Sequence, residues 1–203
     1  MMKWSKANEV VERLRQDSRL WLPALSQRRG FSSSRVEHLL NGLVAEMPVS
    51  ETYFEVGVLE GRTLEAASVG NGGKRLVGCD PCEKYGVVPE PFGPNVVFYK
   101  EPWHEVLPRE GNIGLAFYDG DHQAEAVHMF MLRVRERLAN EAVLVLDDWD
   151  RVSVRSGAFE AAKHHPEWRL LREMPEYTDG LTTAPHHFGY QFGVAVWGWR
   201  REN

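Results

Sequence analysis

Much that would assign this 203-residue chain to a membrane, a nucleic acid or a disulfide scaffold is missing from it. No apolar run approaches the roughly 20 residues that span a bilayer. The opening residues, Met1-Met2-Lys3-Trp4-Ser5-Lys6, lack the apolar core of a signal peptide, so the expected setting is the cytoplasm. Net charge is −5, and no basic stretch offers a footprint for nucleic acid or an anionic membrane. No internal repeat, low-complexity tract or linker divides the chain, whose length suits one domain. Cysteine is scarce. The two present, Cys79 and Cys82, are spaced C-x-x-C, but no further ligand pair stands nearby to complete a zinc site. Pro81, Gly86 and Pro89 disfavour the helix that a thioredoxin-like motif would open. Cys79 therefore reads as a small apolar side chain at a strand end.

What is present is an alternation of strands and helices. Two helices are expected first, over Ser5–Arg19 and from Ser34 onward, packed against a sheet or over a cleft. Ser34 and Glu37 read as a capping box for the second. The arginines of this region, Arg28, Arg29 and Arg35, are expected to face solvent. From Thr52 the expected strands are Tyr53–Val56, Arg75–Cys79, Asn95–Tyr99, Ile113–Tyr118, Ala142–Leu146, Trp168–Glu173 and Phe192–Trp199. Helices are expected over Arg62–Val69, Gln123–Leu138 and Ser156–His164. Near-continuous apolar strands separated by helices imply a parallel sheet covered on both faces. The last two strands, joined with no helical pattern between them, imply a hairpin carrying one antiparallel strand. The fold class is α/β.

The stretch Glu55-Val56-Gly57-Val58-Leu59-Glu60-Gly61-Arg62-Thr63 runs from a strand through a glycine turn into a helix. Glycine tolerates positive φ and lets backbone approach a ligand closely. Acids close the following strands: Asp80, Asp119 and the pair Asp147-Asp148. Parallel strands end on one edge, so these carboxylates converge although they are distant in sequence. Asp80, after the second strand, is placed to accept hydrogen bonds from ribose hydroxyls. A nicotinamide dinucleotide would bring G-x-G-x-x-G, but Leu59 stands where the middle glycine should be. Carboxylates crowded at one site repel one another unless a cation compensates, and oxygen ligands suit Mg²⁺, Ca²⁺ or Mn²⁺. Asp121 and His122 lie just beyond Asp119. For Asp121 a helix-capping role is the plain alternative.

The glycine stretch resembles motif I of class I S-adenosylmethionine-dependent methyltransferases, in the E-x-G-x-x-x-G form of the catechol and caffeoyl-CoA O-methyltransferases. Asp119-Gly120-Asp121-His122, followed by Asp147-Asp148, resembles the small-molecule branch that includes macrocin-type sugar enzymes. The resemblance covers Thr52 to Trp149 by motif and the rest by topology. It implies a Rossmann-like, doubly wound, mostly parallel seven-stranded sheet with a C-terminal antiparallel strand. The whole of 1–203 would be one methyltransferase domain, a helical cap over 1–50 and the core over 51–203. It further implies that Gly57 and Gly61 line the methionine part of S-adenosylmethionine, that Glu55 supports their loop, and that Asp80 takes the ribose, with Asp119 a further cofactor contact. Asp119, Asp147 and Asp148 would bind Mg²⁺, with Asp121 or His122 as base. The acceptor would be a hydroxylated small molecule.

Other signals are weaker. Trp103 could stack on adenine or belong to the core. Trp197 and Trp199, alternating on the last strand, pack on a helix or on a second subunit, which makes a homodimer the expectation. His186-His187 reads as a loop pair and His164-His165 as a helix end. The rival functions are a non-catalytic binding or scaffold protein of the same fold, a Rossmann-type enzyme using another nucleotide, and a methyltransferase of macromolecules. A scaffold has no need of crowded carboxylates, and the acidic charge disfavours nucleic acid.

Overall fold

The computed structural model describes residues 4–16, 23–28, 30–81, 92–174 and 193–201. Strand β1 (Thr52–Val56) is buried along its length near the middle of a seven-stranded sheet. On one side of it lie β2 (Arg75–Cys79) and β3 (Val96–Tyr99), on the other β4 (Ile113–Tyr118) and β5 (Leu138–Leu146), all parallel. β7 (Val194–Arg200) runs antiparallel between β5 and β6 (Trp168–Met174), giving the order β3-β2-β1-β4-β5-β7-β6. This is the doubly wound, Rossmann-like sheet with its late antiparallel strand.

Both faces are covered, which is why the strands are apolar on both sides. Helices α1 (Trp4–Gln16), α2 (Ser34–Glu46) and α3 (Arg62–Ser68) bury Val10, Leu39 and Leu64 with Tyr53, Leu115 and Val143 on one face. On the other, α4 (Trp103–Val106), α5 (Ala124–Val134) and α6 (Val152–His164) cover Phe54, Ala116 and Leu144. No helix among the described residues is long and apolar enough to cross a membrane.

α1 is fixed by Trp4, whose Nε1 donates to Ala142 O at 3.3 Å and Trp199 O at 3.2 Å. Its indole occupies the space that a side chain at Gly198 would need: a Cβ there would lie 2.5 Å from Trp4 Cε2. Trp197 and Trp199 point to the opposite face, against Phe159 and Trp168. The aromatic strand that suggested a subunit interface is thus packed within its own chain.

Several expectations shift. α5 stops at Val134, and Leu138 starts β5 opposite Ile113 rather than ending a helix. An apolar residue there satisfies the helical and the strand register alike, so only the pairing decides. The cap of α2 is Ser33, whose hydroxyl accepts from Val36 N, and not Ser34. Glu37 is then free of capping duty and accepts instead from Leu25 N at 2.6 Å, Ser26 N at 3.1 Å and Arg62 Nε at 2.6 Å. Arg35 is buried, contrary to expectation, because it donates to Leu14 O at the C-terminal end of α1, where carbonyls lack helical partners. Arg28 also turns inward, to Glu65 Oε1 at 3.2 Å.

Glu55 joins β1 to α3. Fully buried, it accepts from Tyr53 OH and from Thr63 Oγ1, each at 2.6 Å. Burial pushes its carboxyl from an ordinary 4.5 up to about 7, against the pull of the two hydroxyl donors. The folded state therefore keeps a proton that the unfolded chain releases between pH 4.5 and about 7. That stabilisation, about 3 kcal/mol, is full below the unfolded value and lost as pH rises through the folded one. Glu55→Gln is expected to flatten the dependence of Tm on pH across this window. An unaltered slope in the variant would show that Glu55 is not the group responsible.

Candidate active site

The turn after β1 is set by backbone geometry. Gly57 has φ +87°, and a Cβ on it would lie 1.9 Å from Asp119 O, so no other residue fits between the ends of β1 and β4. Gly61, at φ +88°, heads α3 and leaves room for Phe92, whose ring would be 2.5 Å from a Cβ. Between them Leu59 also takes a positive φ, and its N–H donates to Asp80 Oδ2 at 2.8 Å. Asp80 thus holds the loop from the neighbouring strand end.

A pocket of about 880 Å³ opens at this edge. Gly57, Asp80, Asp119, Asp121, His122, Asp147 and Asp148 all line it. Gly61 and Glu55 do not; they shape the loop from behind. Trp103 faces the pocket and also meets the core, its ring edge-on to Phe130 with centroids 5.3 Å apart. Sequence reasoning missed two parts of the wall, Gly30-Phe31-Ser32 and Arg151. The first is remote from every motif, and only the folded chain brings it to the rim. Arg151 carried one available signal, its place three residues after Asp148. Cys82, Arg29 and the His186-His187 pair lie outside the described residues.

Charge concentrates on one wall. His122 Nε2 lies 2.9 Å from Asp148 Oδ2 and 3.5 Å from Asp119 Oδ1, and Arg151 Nε reaches Asp148 Oδ2 at 2.9 Å. The two carboxylates hold the imidazole at about 9, well above its usual range. Burial at the pocket floor raises Asp119 to about 6, with His122 opposing. Burial also drives Asp147 upward, reinforced by Asp119 and Asp148. Asp147 is nine-tenths buried, and its Oδ1 has no hydrogen-bond partner among the described residues. One ligand atom each from Asp119, His122 and Asp148 can be chosen so that all lie within 4.8 Å of one another. Asp147 shares the pocket but stands outside that trio. Asp148 itself adopts a positive φ of 51°, a strained backbone of the kind that collects at functional sites. Asp121 is exposed, its Oδ1 accepting from Gln123 N at 3.0 Å in the turn that leads into α5, while Tyr118 OH donates to its carbonyl at 2.9 Å. The turn-forming role is real, and the same residue borders the pocket.

A sheet of this order, with a glycine turn after β1 and acids after β2, β4 and β5, is the fold of the class I methyltransferases. Residues 54–149 match a family model described as a methyltransferase domain. Among solved structures, the chain is similar to an O-methyltransferase from Bacillus cereus in complex with SAH (S-adenosylhomocysteine), at TM-score 0.61 and 14% identity, covering 98% of this chain and 92% of that one. It is similar to an SAH-bound methyltransferase from Podospora anserina, at TM-score 0.55 and 14% identity over 99% and 98% of the two chains. It is also similar to a precorrin-6y C5,15-methyltransferase from Geobacter metallireducens, at TM-score 0.57 and 14% identity over 82% and 89%. Likeness at such identities carries the fold and leaves the acceptor open. No curated protein matches the sequence.

The glycine turn gives a direct test. Gly57→Ala is expected to destabilise the protein by about 2–4 kcal/mol, from strained φ plus collision with the Asp119 carbonyl, as read by denaturant unfolding. A variant as stable as the parent would mean that the β1 and β4 ends separate without cost.

Proposed function

We propose that this methyltransferase transfers the methyl group of S-adenosylmethionine to a hydroxyl of a small molecule, assisted by a divalent cation. The observation that carries the reading is the Gly57 turn held by Asp80 at the mouth of a pocket that also contains the acid cluster. In this reading the backbone of Gly57 to Leu59 faces the methionine part of the cofactor, which the missing Cβ of Gly57 permits. Asp80, half-buried and already turned toward the loop, accepts from the ribose hydroxyls. Trp103, with one face on the core, bounds the adenine end. Glu55 and Gly61 act by holding the turn in shape.

Bound there, S-adenosylmethionine supplies a sulfonium methyl carbon: the acceptor oxygen forms the new C–O bond, and the S–CH₃ electron pair returns to sulfur, leaving S-adenosylhomocysteine. Asp119, His122 and Asp148 supply donors suited to a cation, and Asp147 lines the same pocket beside them. A cation at this wall would lower the pKa of an acceptor hydroxyl and orient it. Asp121 is the base of choice, because its carboxylate is exposed at the pocket edge and can take the hydroxyl proton and release it to water. His122 is turned toward Asp119 and Asp148 instead. Alignment of oxygen and methyl within one pocket contributes much of the rate.

Two measurements test this. In calorimetry, S-adenosylhomocysteine is expected to bind, and Asp80→Ala to weaken it by about tenfold to a hundredfold, the worth of hydrogen bonds to a charged group. An absence of binding under any condition sinks the cofactor assignment. With an acceptor drawn from a panel of hydroxylated metabolites, Asp121→Asn is expected to lower kcat by about 10²–10⁴ while leaving cofactor affinity unchanged. Retained kcat removes Asp121 as the base.

A further inference from the structure

We infer that His122 is a metal ligand, and that with Asp119 and Asp148 it makes a site that selects a first-row transition dication such as Mn²⁺ over Mg²⁺. The inference deepens the proposed function and rests on it for the site's use, while the ligand chemistry stands on its own.

Three observations meet at one place. The His122 nitrogen and one carboxylate oxygen each from Asp119 and Asp148 lie within 4.8 Å of one another, a spacing that one ion can bridge. His122 Nε2 lies 2.9 Å from Asp148 Oδ2 and 3.5 Å from Asp119 Oδ1, so the ring nitrogen already points at the two carboxylates that would share the ion. A ring nitrogen so placed can turn a lone pair toward a cation once Nδ1 carries the proton. Asp147, 9% exposed and lining the same pocket, leaves Oδ1 without a partner among the described residues, a cost that a bound water or ion commonly relieves. It borders the trio without belonging to it.

Charge agrees with this arrangement. With Asp119, Asp147 and Asp148 ionised, Arg151 paired to Asp148 and His122 neutral as a ligand must be, the wall carries two net negative charges, which one dication cancels. The donor type then decides which dication. Mg²⁺ favours oxygen, keeps its waters and demands near-ideal octahedral geometry, whereas imidazole suits the transition metals. An all-oxygen set of Asp119, Asp147 and Asp148 would suit Mg²⁺; replacing one oxygen by the His122 nitrogen shifts the preference. The same geometry removes His122 from the role of base, since one lone pair cannot serve both ends.

The test uses the full chain, titrated with MnCl₂ and with MgCl₂ in separate calorimetric runs, and pulsed electron paramagnetic resonance on the Mn²⁺ form. Mn²⁺ is expected to bind at least tenfold more tightly than Mg²⁺, with a ¹⁴N coupling from the imidazole. His122→Asn, at a half-exposed position that tolerates an amide, is expected to lose that coupling and at least tenfold in Mn²⁺ affinity, while its affinity for Mg²⁺ changes less than threefold. Equal affinities that ignore the substitution would overturn the proposal in favour of an all-oxygen site. No binding of either ion would overturn it too, leaving the His122 imidazolium as the counter-charge. Binding of S-adenosylhomocysteine to the same samples separates the two readings: intact cofactor binding with no nitrogen ligation refutes only the metal assignment, whereas nitrogen ligation without cofactor binding refutes only the methyltransferase use.

Discussion

The contact between the Gly57 backbone and the Asp119 carbonyl is the constraint on which the site depends. β1 lies between β2 and β4, and the connections from β1 and β4 leave toward opposite faces of the sheet, through α3 on one side and α5 on the other. Loops that diverge in this way leave a crevice at the C-terminal edge. The crevice is useful only if the strand ends stay close and their backbones remain uncovered. A glycine at φ +87° achieves both, and a side chain there would push β1 and β4 apart. The pocket, the Asp80 clasp on Leu59 and the position of the Asp119 carboxylate all follow from that approach.

The same closeness imposes an electrostatic load. Asp119, Asp147 and Asp148 end adjacent strands and cannot avoid one another, and burial raises Asp119 and Asp147 together. His122 and Arg151 offset part of the repulsion by approaching Asp148 from two sides. The offset is incomplete at Asp147 Oδ1. The cation proposed for this wall would relieve the remaining load, and perturbed carboxylates of this kind are commoner at functional sites than elsewhere.

A second network sets the rim. Glu37 on α2 and Glu65 on α3 gather the backbone of residues 25–27 together with Ser26, Arg28 and Arg62. The buried carboxylate of Glu37 is satisfied by backbone N–H groups and a guanidinium, which is what makes its burial tolerable. Through it the segment carrying Gly30, Phe31 and Ser32 is held against the glycine turn, so helices that complete one layer of the sheet also contribute a wall of the pocket. Phe31, 75% exposed, faces whatever occupies that side.

The sequence by itself determined the strand–helix alternation, the parallel sheet with its late antiparallel strand, the glycine turn, and the acids at strand ends. Each is a local rule: apolar runs of strand length, residues tolerant of positive φ, and the shared edge of parallel strands. What only the tertiary structure decided depends on pairs distant along the chain. The end of α5 at Val134 followed from Leu138 pairing with Ile113, since the apolar pattern fits helix and strand equally. The burial of Arg35 followed from α1 ending beside it, and the duty of Glu37 from a rim segment that no spacing reveals. Gly30 to Ser32 entered the pocket wall for the same reason. Most consequential is His122, which a linear motif lists beside Asp121 with equal claim. Distance separated them: one turns toward Asp119 and Asp148, the other stands exposed at the pocket edge, because the Asp121 turn into α5 sends successive side chains in different directions.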